Sequence, residues 1–346
     1  MKRLRVLIAN ASPGERALLR QLLAADPAIV VAGEAVNGRQ AVEMTRSLLP
    51  DLLLMGLHLP VMTGLQAIEE IMCHKALPIL AISSDNDTGF VPTAMERGAL
   101  EVLGINECQN GAMDLPARVR LLAGVTVVTR RKRSTPPPLP VPPSIALPLM
   151  PDPTALRYPR LFAIAASTGG PQALAKILPA LPADFPAPVV VAQHLSDGFA
   201  QGIADWLDSL CRLRVRLAAE GEFPTAGEIH IVSSEAHCIL TPARRYTCVA
   251  RSPLDIYHPS CDLLLESAGE ILGHRAVGII LTGMGQDGAR GMARIHARGG
   301  VTLAQDEATS LIYGMNAAAI QTGVVQRVLP LEAIAGEMIR LAGEQA

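Results

Sequence analysis

A hydroxyl, an imidazole and a carboxylate occur in this chain at three places where an apolar run breaks into a polar turn. The runs are FAIAASTGGP (162–171), VVVAQH (189–194) and IILTGMGQDGARG (279–291), and the residues are Ser167, His194 and Asp287. Each run reads as a buried strand that leads into a helical pattern. The carboxyl ends of strands are where open parallel sheets place their ligands. A serine whose proton passes to a histidine held by an aspartate can attack an acyl carbon, so the set points to a nucleophilic hydrolase.

Each turn also has a plainer reading. Ser167, Thr168, Gly169, Gly170 and Pro171 precede the pattern QALAKIL, in which Leu174, Ile177 and Leu178 have helical core spacing. Pro171 suits the first helical position. The two glycines leave backbone N–H groups open at a helix N-terminus, where they can stabilise an oxyanion. Ser167 or Thr168 could instead cap that helix, and caps are far commoner than nucleophiles. His194 precedes SDGFAQGIADWLDSL, which reads as an amphipathic helix with Ser196 or Asp197 as its cap. An imidazole there is the natural general base for a serine, or simply a hydrogen-bonded surface residue.

The Asp287 loop has the spacing G-x-G-x-x-G at Gly283, Gly285 and Gly288, between a strand and a helix. Asp306 or Glu307 follows about twenty residues on, which meets the dinucleotide-binding fingerprint at 283–288. Asp287 speaks against that reading, because its charge would face the pyrophosphate. The same carboxylate makes sense as the group that orients a protonatable histidine. The STGG turn could also cradle phosphate, but it lacks the Gly-Lys-Ser/Thr ending of a P-loop.

The elements that must position these residues fall into two blocks. The segment 130–153 is so rich in proline that it favours an extended, semi-rigid spacer. Residues 1–124 then form one domain, 125–157 a linker and 158–346 a second domain. The first block alternates strand and helix: RVLIAN, ERALLRQLLAAD, IVVAGEA, GRQAVEMTRSLLP, DLLLMG, LQAIEEIMCHK, LPILAISS, VPTAMERGA, LEVLGI and PARVRLLAG. Five such units make a flavodoxin-like, doubly wound α/β sheet. The second block reads as a doubly wound, mainly parallel α/β domain.

Composition excludes several classes of function. The 346 residues are 49% hydrophobic but 3% aromatic, which suits aliphatic cores and buried parallel strands. The net charge is −2, so no global field favours nucleic acid or an acidic membrane. Arg130, Arg131, Lys132 and Arg133 read as a solvated part of the linker. Six cysteines lack C-x-x-C spacing, and the eight histidines do not cluster with cysteines or carboxylates in sequence, so no metal is expected. No apolar run reaches the ~20 residues of a membrane span. The N-terminus turns polar after one short strand, and a reduced, cytoplasmic protein without membrane insertion is expected.

The first block, with the turn LPVMTGL (59–65) after its third strand, resembles a two-component receiver domain. A receiver needs an acidic pair after strand one, a phospho-accepting Asp after strand three, a Ser/Thr after strand four and a Lys after strand five. Here those positions read Asn10 and Ala11, Gly56, Ser83, and Ile105 followed by Asn106. Mg²⁺ wants hard carboxylate oxygens, and Gly56 has no side chain to phosphorylate. Asp51 lies at the opposite end of its strand, and Asp85 and Asp87 fall in the loop after strand four. The domain is expected to be a degenerate receiver with no phosphoacceptor.

The second block resembles the methylesterase domain of CheB-type chemotaxis protein-glutamate methylesterases across nearly all of 160–345. The resemblance rests on ASTGGP (166–171), QH (193–194) and LTGMGQDGARG (281–291). HPSCDLLLESA (258–268), AQDEATSLIYGMNAAAI (304–320) and VLPLEAIA (328–335) extend it. It implies Ser167 as nucleophile, His194 as base, Asp287 as orienting carboxylate, and Thr168, Gly169, Gly170 and Met284 around the oxyanion and substrate. Asn316 departs from the proline common after Gly-Met. The implied reaction is hydrolysis of glutamate methyl esters, and of glutamine amides with more difficulty, without cofactor. The implied partners are the cytoplasmic helices of a methylated chemoreceptor and, through the receiver-like domain, a chemosensory kinase. In that family the unphosphorylated receiver shields the site. Two rival readings are a non-enzymatic interaction protein and a dinucleotide-binding protein.

Overall fold

A computed structural model describes residues 3–83, 88–110, 114–125, 127, 158–252, 255 and 257–344. Most of the expected linker, with Asp85, Asp87 and the basic run at 130–133, lies outside the described residues.

In the first block the strands are β1 (Leu4–Ala9), β2 (Ile29–Ala35), β3 (Leu52–Gly56), β4 (Ile79–Ser83) and β5 (Glu101–Gly104), in the parallel order β2-β1-β3-β4-β5. This is the flavodoxin-like order. β3 and β4 are buried along their whole length, as befits strands with helices on both faces. Their helices start where the side chains dictate. Ser12 and Asn37 cap Pro13–Leu23 and Gly38–Leu48, and Thr63 and Gln66 form a capping box on Gly64–His74. The sequence pattern carries the fifth strand through Ile105. Instead Gly104 caps a short helix, Ile105–Gln109, which buries Ile105 and Cys108 one turn apart.

The second block is built on β6 (Leu161–Ala166), β7 (Val189–Gln193), β8 (Arg214–Leu217), β9 (Glu228–Ile231), β10 (His237–Leu240), β11 (Tyr246–Val249), β12 (Ala276–Ile280), β13 (Val301–Gln305) and β14 (Arg327–Leu329). Seven of them form one parallel sheet in the order β14-β13-β12-β6-β7-β9-β8, while β10 and β11 pair as a separate antiparallel hairpin. The chain runs outward from β6 through β7 to one edge and returns to β12 on the other side. The order therefore reverses at β6, the place where such sheets open a crevice for ligands. β6, β7 and β12 are wholly buried, and their sides are closed by helices such as Gly170–Ile177 and Cys261–Leu272.

The two blocks pack against each other. The helix Val91–Arg97 of the first lies on Ala200–Leu210 of the second, and Trp206 Nε1 donates to Glu96 at 2.6 Å. Gln172 Nε2 reaches the carbonyls of Ala99 and Leu100 at 3.3 and 3.4 Å. This places the amino end of β5 beside the start of the helix that follows β6.

Candidate active site

Ser167, His194 and Asp287 follow β6, β7 and β12, three neighbouring strands at the centre of the sheet. His194 Nε2 lies 2.8 Å from Asp287 Oδ2. Ser167 and His194 line one cavity of about 170 Å³, which they share with Thr168, Gly169 and Met284. With Nε2 at the carboxylate, Nδ1 is the ring nitrogen that remains.

The turn at Ser167 is shaped by its neighbours. Gly169 caps Gly170–Ile177 in the left-handed conformation at φ 80°, and no side chain caps that helix, so Ser167 and Thr168 are not its caps. The expectation that both glycines leave open N–H groups needs correction. Gly170 N–H donates to Ser167 O at 2.7 Å, and a Cβ on Gly170 would stand 1.9 Å from Gln193 Oε1. Gly170 is there for close packing and does not face the cavity. The backbone N–H groups of Thr168, Gly169 and Met284 donate to no acceptor among the described residues. They are open donors near Ser167.

Asp287 is held by the start of the helix Cys261–Leu272. Its Oδ2 accepts from Cys261 N at 2.7 Å, and its Oδ1 from Asp262 N at 2.9 Å and Ser260 Oγ at 3.3 Å. A carboxylate at a helix N-terminus is favoured by the helix dipole. Burial pushes the Asp287 carboxyl up, but the His194 hydrogen bond and charge and the two N–H donors outweigh it, and the group titrates below the ordinary aspartate value.

A second carboxylate answers the first. Asp262 Oδ1 accepts from Gly288 N and Gly291 N, both at 2.9 Å, and Oδ2 from Arg290 Nε at 2.9 Å. Asp262 thus caps the helix Ala289–Ala297 that follows Asp287, while Asp287 caps the helix that contains Asp262. This also disposes of the dinucleotide reading. The helix N-terminus that would take a pyrophosphate already holds a carboxylate, and a second anion there would be repelled. Replacing Asp262 with alanine would strand two buried N–H groups, at about 1–3 kcal/mol each. The Asp262→Ala protein is expected to melt several degrees lower and to lose turnover as Asp287 loosens. Calorimetry and steady-state kinetics check this, and an unchanged kcat would show that Asp287 needs no such support.

Sequence patterns gave no role to Gln193, Tyr257 or Asn316, and the structure supplies one for each. Gln193 is buried and its Nε2 donates to the carbonyls of both Ser167 and His194, each at 2.9 Å, tying the two turns together. Tyr257 stacks on the His194 ring, with centroids 5.0 Å apart and 13° between planes. Asn316 Nδ2 donates to Gln305 O at 2.8 Å and Ser310 Oγ at 2.9 Å, contacts that a proline could not make. The helix after His194 spans Ala200–Leu210 without a side-chain cap, so neither Ser196 nor Asp197 caps it. Ser196 Oγ instead donates to Glu107, and Asp197 accepts both arms of Arg251 at 2.7 and 2.9 Å. A histidine does meet a cysteine and a carboxylate here, since ligand atoms of His194, Cys261 and Asp287 lie within 4.8 Å of one another. Sequence spacing could not reveal this, because they come from three separate turns. The N–H donors on Asp287 suit a carboxylate that orients a histidine.

The first block covers this site. Arg118 Nη1 donates to Thr168 Oγ1 at 2.7 Å, and Thr168 Oγ1 lies 3.4 Å from Glu101 Oε2. Ser196 Oγ donates to Glu107 at 2.5 Å. Glu101, Glu107 and Arg118 all line the Ser167 cavity. Burial raises the Glu107 carboxyl above the ordinary glutamate value, against the pull of the Ser196 hydrogen bond.

The pocket where a receiver takes phosphate is filled differently. Asn10 Nδ2 donates to Glu15 Oε2 at 2.8 Å, and Asn10 Oδ1 accepts from Ser12 N at 2.8 Å. A Cβ on Gly56 would stand 3.1 Å from Asn10 Nδ2 and 3.2 Å from Ala9 O. Incubation with acetyl phosphate and Mg²⁺ is therefore expected to leave no acyl phosphate on the first block. A labelled peptide from within 1–124 would overturn that expectation.

A serine, a histidine and an aspartate at a switch point of a parallel sheet, capped by a flavodoxin-like domain, define a two-domain α/β hydrolase of the response-regulator type. Family models agree in both halves: a response regulator receiver domain matches residues 6–104, and CheB methylesterase matches 162–338. The chain belongs to the CheB methylesterase family. It is 47% identical to protein-glutamate methylesterase/protein-glutamine glutaminase 3 of Paramagnetospirillum magneticum, over 98% of this chain and 96% of that one. It is 39% identical to enzyme 2 of the same designation from Cupriavidus metallidurans, over 98% and 99%. Among solved structures, the catalytic domain of Thermotoga maritima CheB methylesterase covers 53% of this chain and 98% of its own, at 34% identity and a TM-score of 0.51.

Proposed function

We propose that Ser167, His194 and Asp287 carry the protein-glutamate methylesterase reaction of this family in this chain. His194 Nδ1 takes the Ser167 proton as the hydroxyl oxygen attacks the δ-carbonyl carbon of a methylated glutamate side chain. Asp287 holds the ring through Nε2 and stabilises the imidazolium that forms. The open N–H groups of Thr168 and Met284 receive the developing oxyanion. Protonated by His194, methanol leaves, and water hydrolyses the acyl-enzyme by the reverse path. A glutamine amide can enter the same cycle, with ammonia as the poorer leaving group. Every step uses groups of this chain and water. The observation that carries the reading is the 2.8 Å contact between His194 and Asp287 at the ends of strands that flank Ser167.

The substrate of this reading lies on the cytoplasmic helices of a chemoreceptor, reached from the cytoplasm. Among the described residues no helix is long and apolar enough to cross a membrane. Methanol release from methylated receptor membranes tests the activity directly. Absence of release with a folded protein would sink it.

The contacts of Arg118, Glu101 and Glu107 support a reading of the degenerate receiver as a fixed cover. A hydrogen bond to a charged group contributes about 1.5–3 kcal/mol net, so one such contact already holds the cover shut by roughly tenfold or more. A fragment of residues 158–346 is expected to release methanol at least about tenfold faster than the full chain. Equal rates would mean that the first block leaves the site open.

A further inference from the structure

Cys238 and Cys248 stand directly opposite each other in the hairpin of β10 and β11. The hydrogen bonds around them give the kind of pair. Thr241 N donates to Arg245 O at 2.9 Å and closes the hairpin end. At the next pair, Leu240 N turns away to Ser267 Oγ at 3.0 Å, and Tyr246 exchanges bonds with Gly221 and Glu222 on its outer side. Leu240 and Tyr246 are thus a non-hydrogen-bonded pair. Two residues further along, Cys238 and Cys248 are another, and Cys248 N accordingly points outward to Glu220. Such pairs bring Cα atoms to about 4.5 Å, with side chains close on the same face. That separation lies inside the roughly 4.4–6.8 Å span that a disulfide bridges. Cys238 is 3% exposed, while Cys248 is open to solvent.

We propose that Cys238 and Cys248 form a reversible cross-strand disulfide by exchange with a small disulfide such as oxidised glutathione. The Cys248 thiolate attacks one sulfur of glutathione disulfide, that S–S bond breaks, and one glutathione thiolate leaves. The Cys238 thiolate then attacks the Cys248 sulfur and expels the second glutathione. Two thiol protons and two electrons pass in all to two molecules of glutathione. Burial, then the charge of its neighbour Cys248, pushes the Cys238 thiol up to about 12, so the exchange is slow and belongs to equilibrium conditions. The bond would pin a strand that matters to the site. β10 begins with His237, whose Nδ1 accepts from Ser260 N at 2.9 Å and whose Nε2 bonds Asp255 at 2.9 Å. Ser260 is the cap of the helix that holds Asp287.

The full chain is equilibrated in glutathione buffers of graded ratio, alkylated and mapped by mass spectrometry without reduction. The expected product is one peptide pair joined through Cys238 and Cys248, two hydrogens lighter than the free peptides and released by dithiothreitol. The oxidised protein is expected to melt higher by roughly 5 °C. In Cys248→Ser neither the crosslink nor the shift is expected. The inference fails if Cys248 accumulates as a stable glutathione adduct with Cys238 still alkylatable. It fails equally if both thiols stay free in the most oxidising buffer, or if crosslinks join other cysteines. None of these outcomes depends on esterase activity.

Discussion

Replacing Ser167 with alanine is expected to lower methanol release by about 10⁴-fold or more while leaving the protein folded. The turn is built from backbone bonds that alanine retains. Ser167 N donates to Thr282 O at 3.1 Å, and Ser167 O accepts from Gly170 N at 2.7 Å and Gln193 Nε2 at 2.9 Å. The side chain is buried, at 5% exposure, but no described residue takes its hydroxyl as an essential partner, so its loss strands nothing. The melting temperature should stay within about 2 °C of wild type, because the change belongs to none of the large destabilising classes. Turnover and melting are measured on one preparation. Activity within tenfold of wild type would remove Ser167 as the nucleophile and, with it, the hydrolytic reading of all three strand ends.

Asp287→Asn is expected to cost a similar factor in kcat, about 10⁴-fold, for a different reason. The asparagine loses the charge that stabilises the imidazolium. It also turns an amide NH₂ toward a site where His194 Nε2, Cys261 N, Asp262 N and Ser260 Oγ all donate. At least one of those donors then faces another donor, at a cost of about 1–3 kcal/mol, so this variant also melts lower. The pH dependence separates the two effects. Asp287 titrates below its unfolded value of 3.8, so its contribution to stability is complete above that pH and is lost as pH falls through the folded value. Wild type should therefore lose more melting temperature than Asp287→Asn when acidified below about pH 4. Parallel acid profiles for the two proteins would show that the carboxylate is not held as described.

The outcome for the candidate site divides by the range of the interactions involved. Ser167, His194 and Asp287 were legible because each follows a buried apolar run, and strand ends in a parallel sheet converge. Gly56 and Asn10 were legible because a missing carboxylate is visible in the chain itself. The caps assigned to Ser196 and Asp197 were misplaced. Local pattern marks a polar residue before a helix, but Glu107 and Arg251 compete for those side chains from 54 to 89 residues away. Gly170 misled in part locally, since its N–H closes back on Ser167 O in the same turn, and in part through packing, since its missing Cβ makes room for Gln193 from the end of β7.

By itself the amino-acid order determined two α/β sheets, the three polar strand ends and the replacement of a carboxylate by Gly56 after the third strand. These follow from periodicity, turn residues and side-chain identity, which act over a few residues. Only the tertiary structure decided which atoms do what. It directed Nε2 of His194 at Asp287, put Asp262 and Asp287 at the starts of each other's helices, and laid Arg118 and Glu107 against the Ser167 cavity. Those contacts join groups brought together by packing the central strands and the covering domain, and a buried donor or acceptor goes to whatever partner that packing supplies.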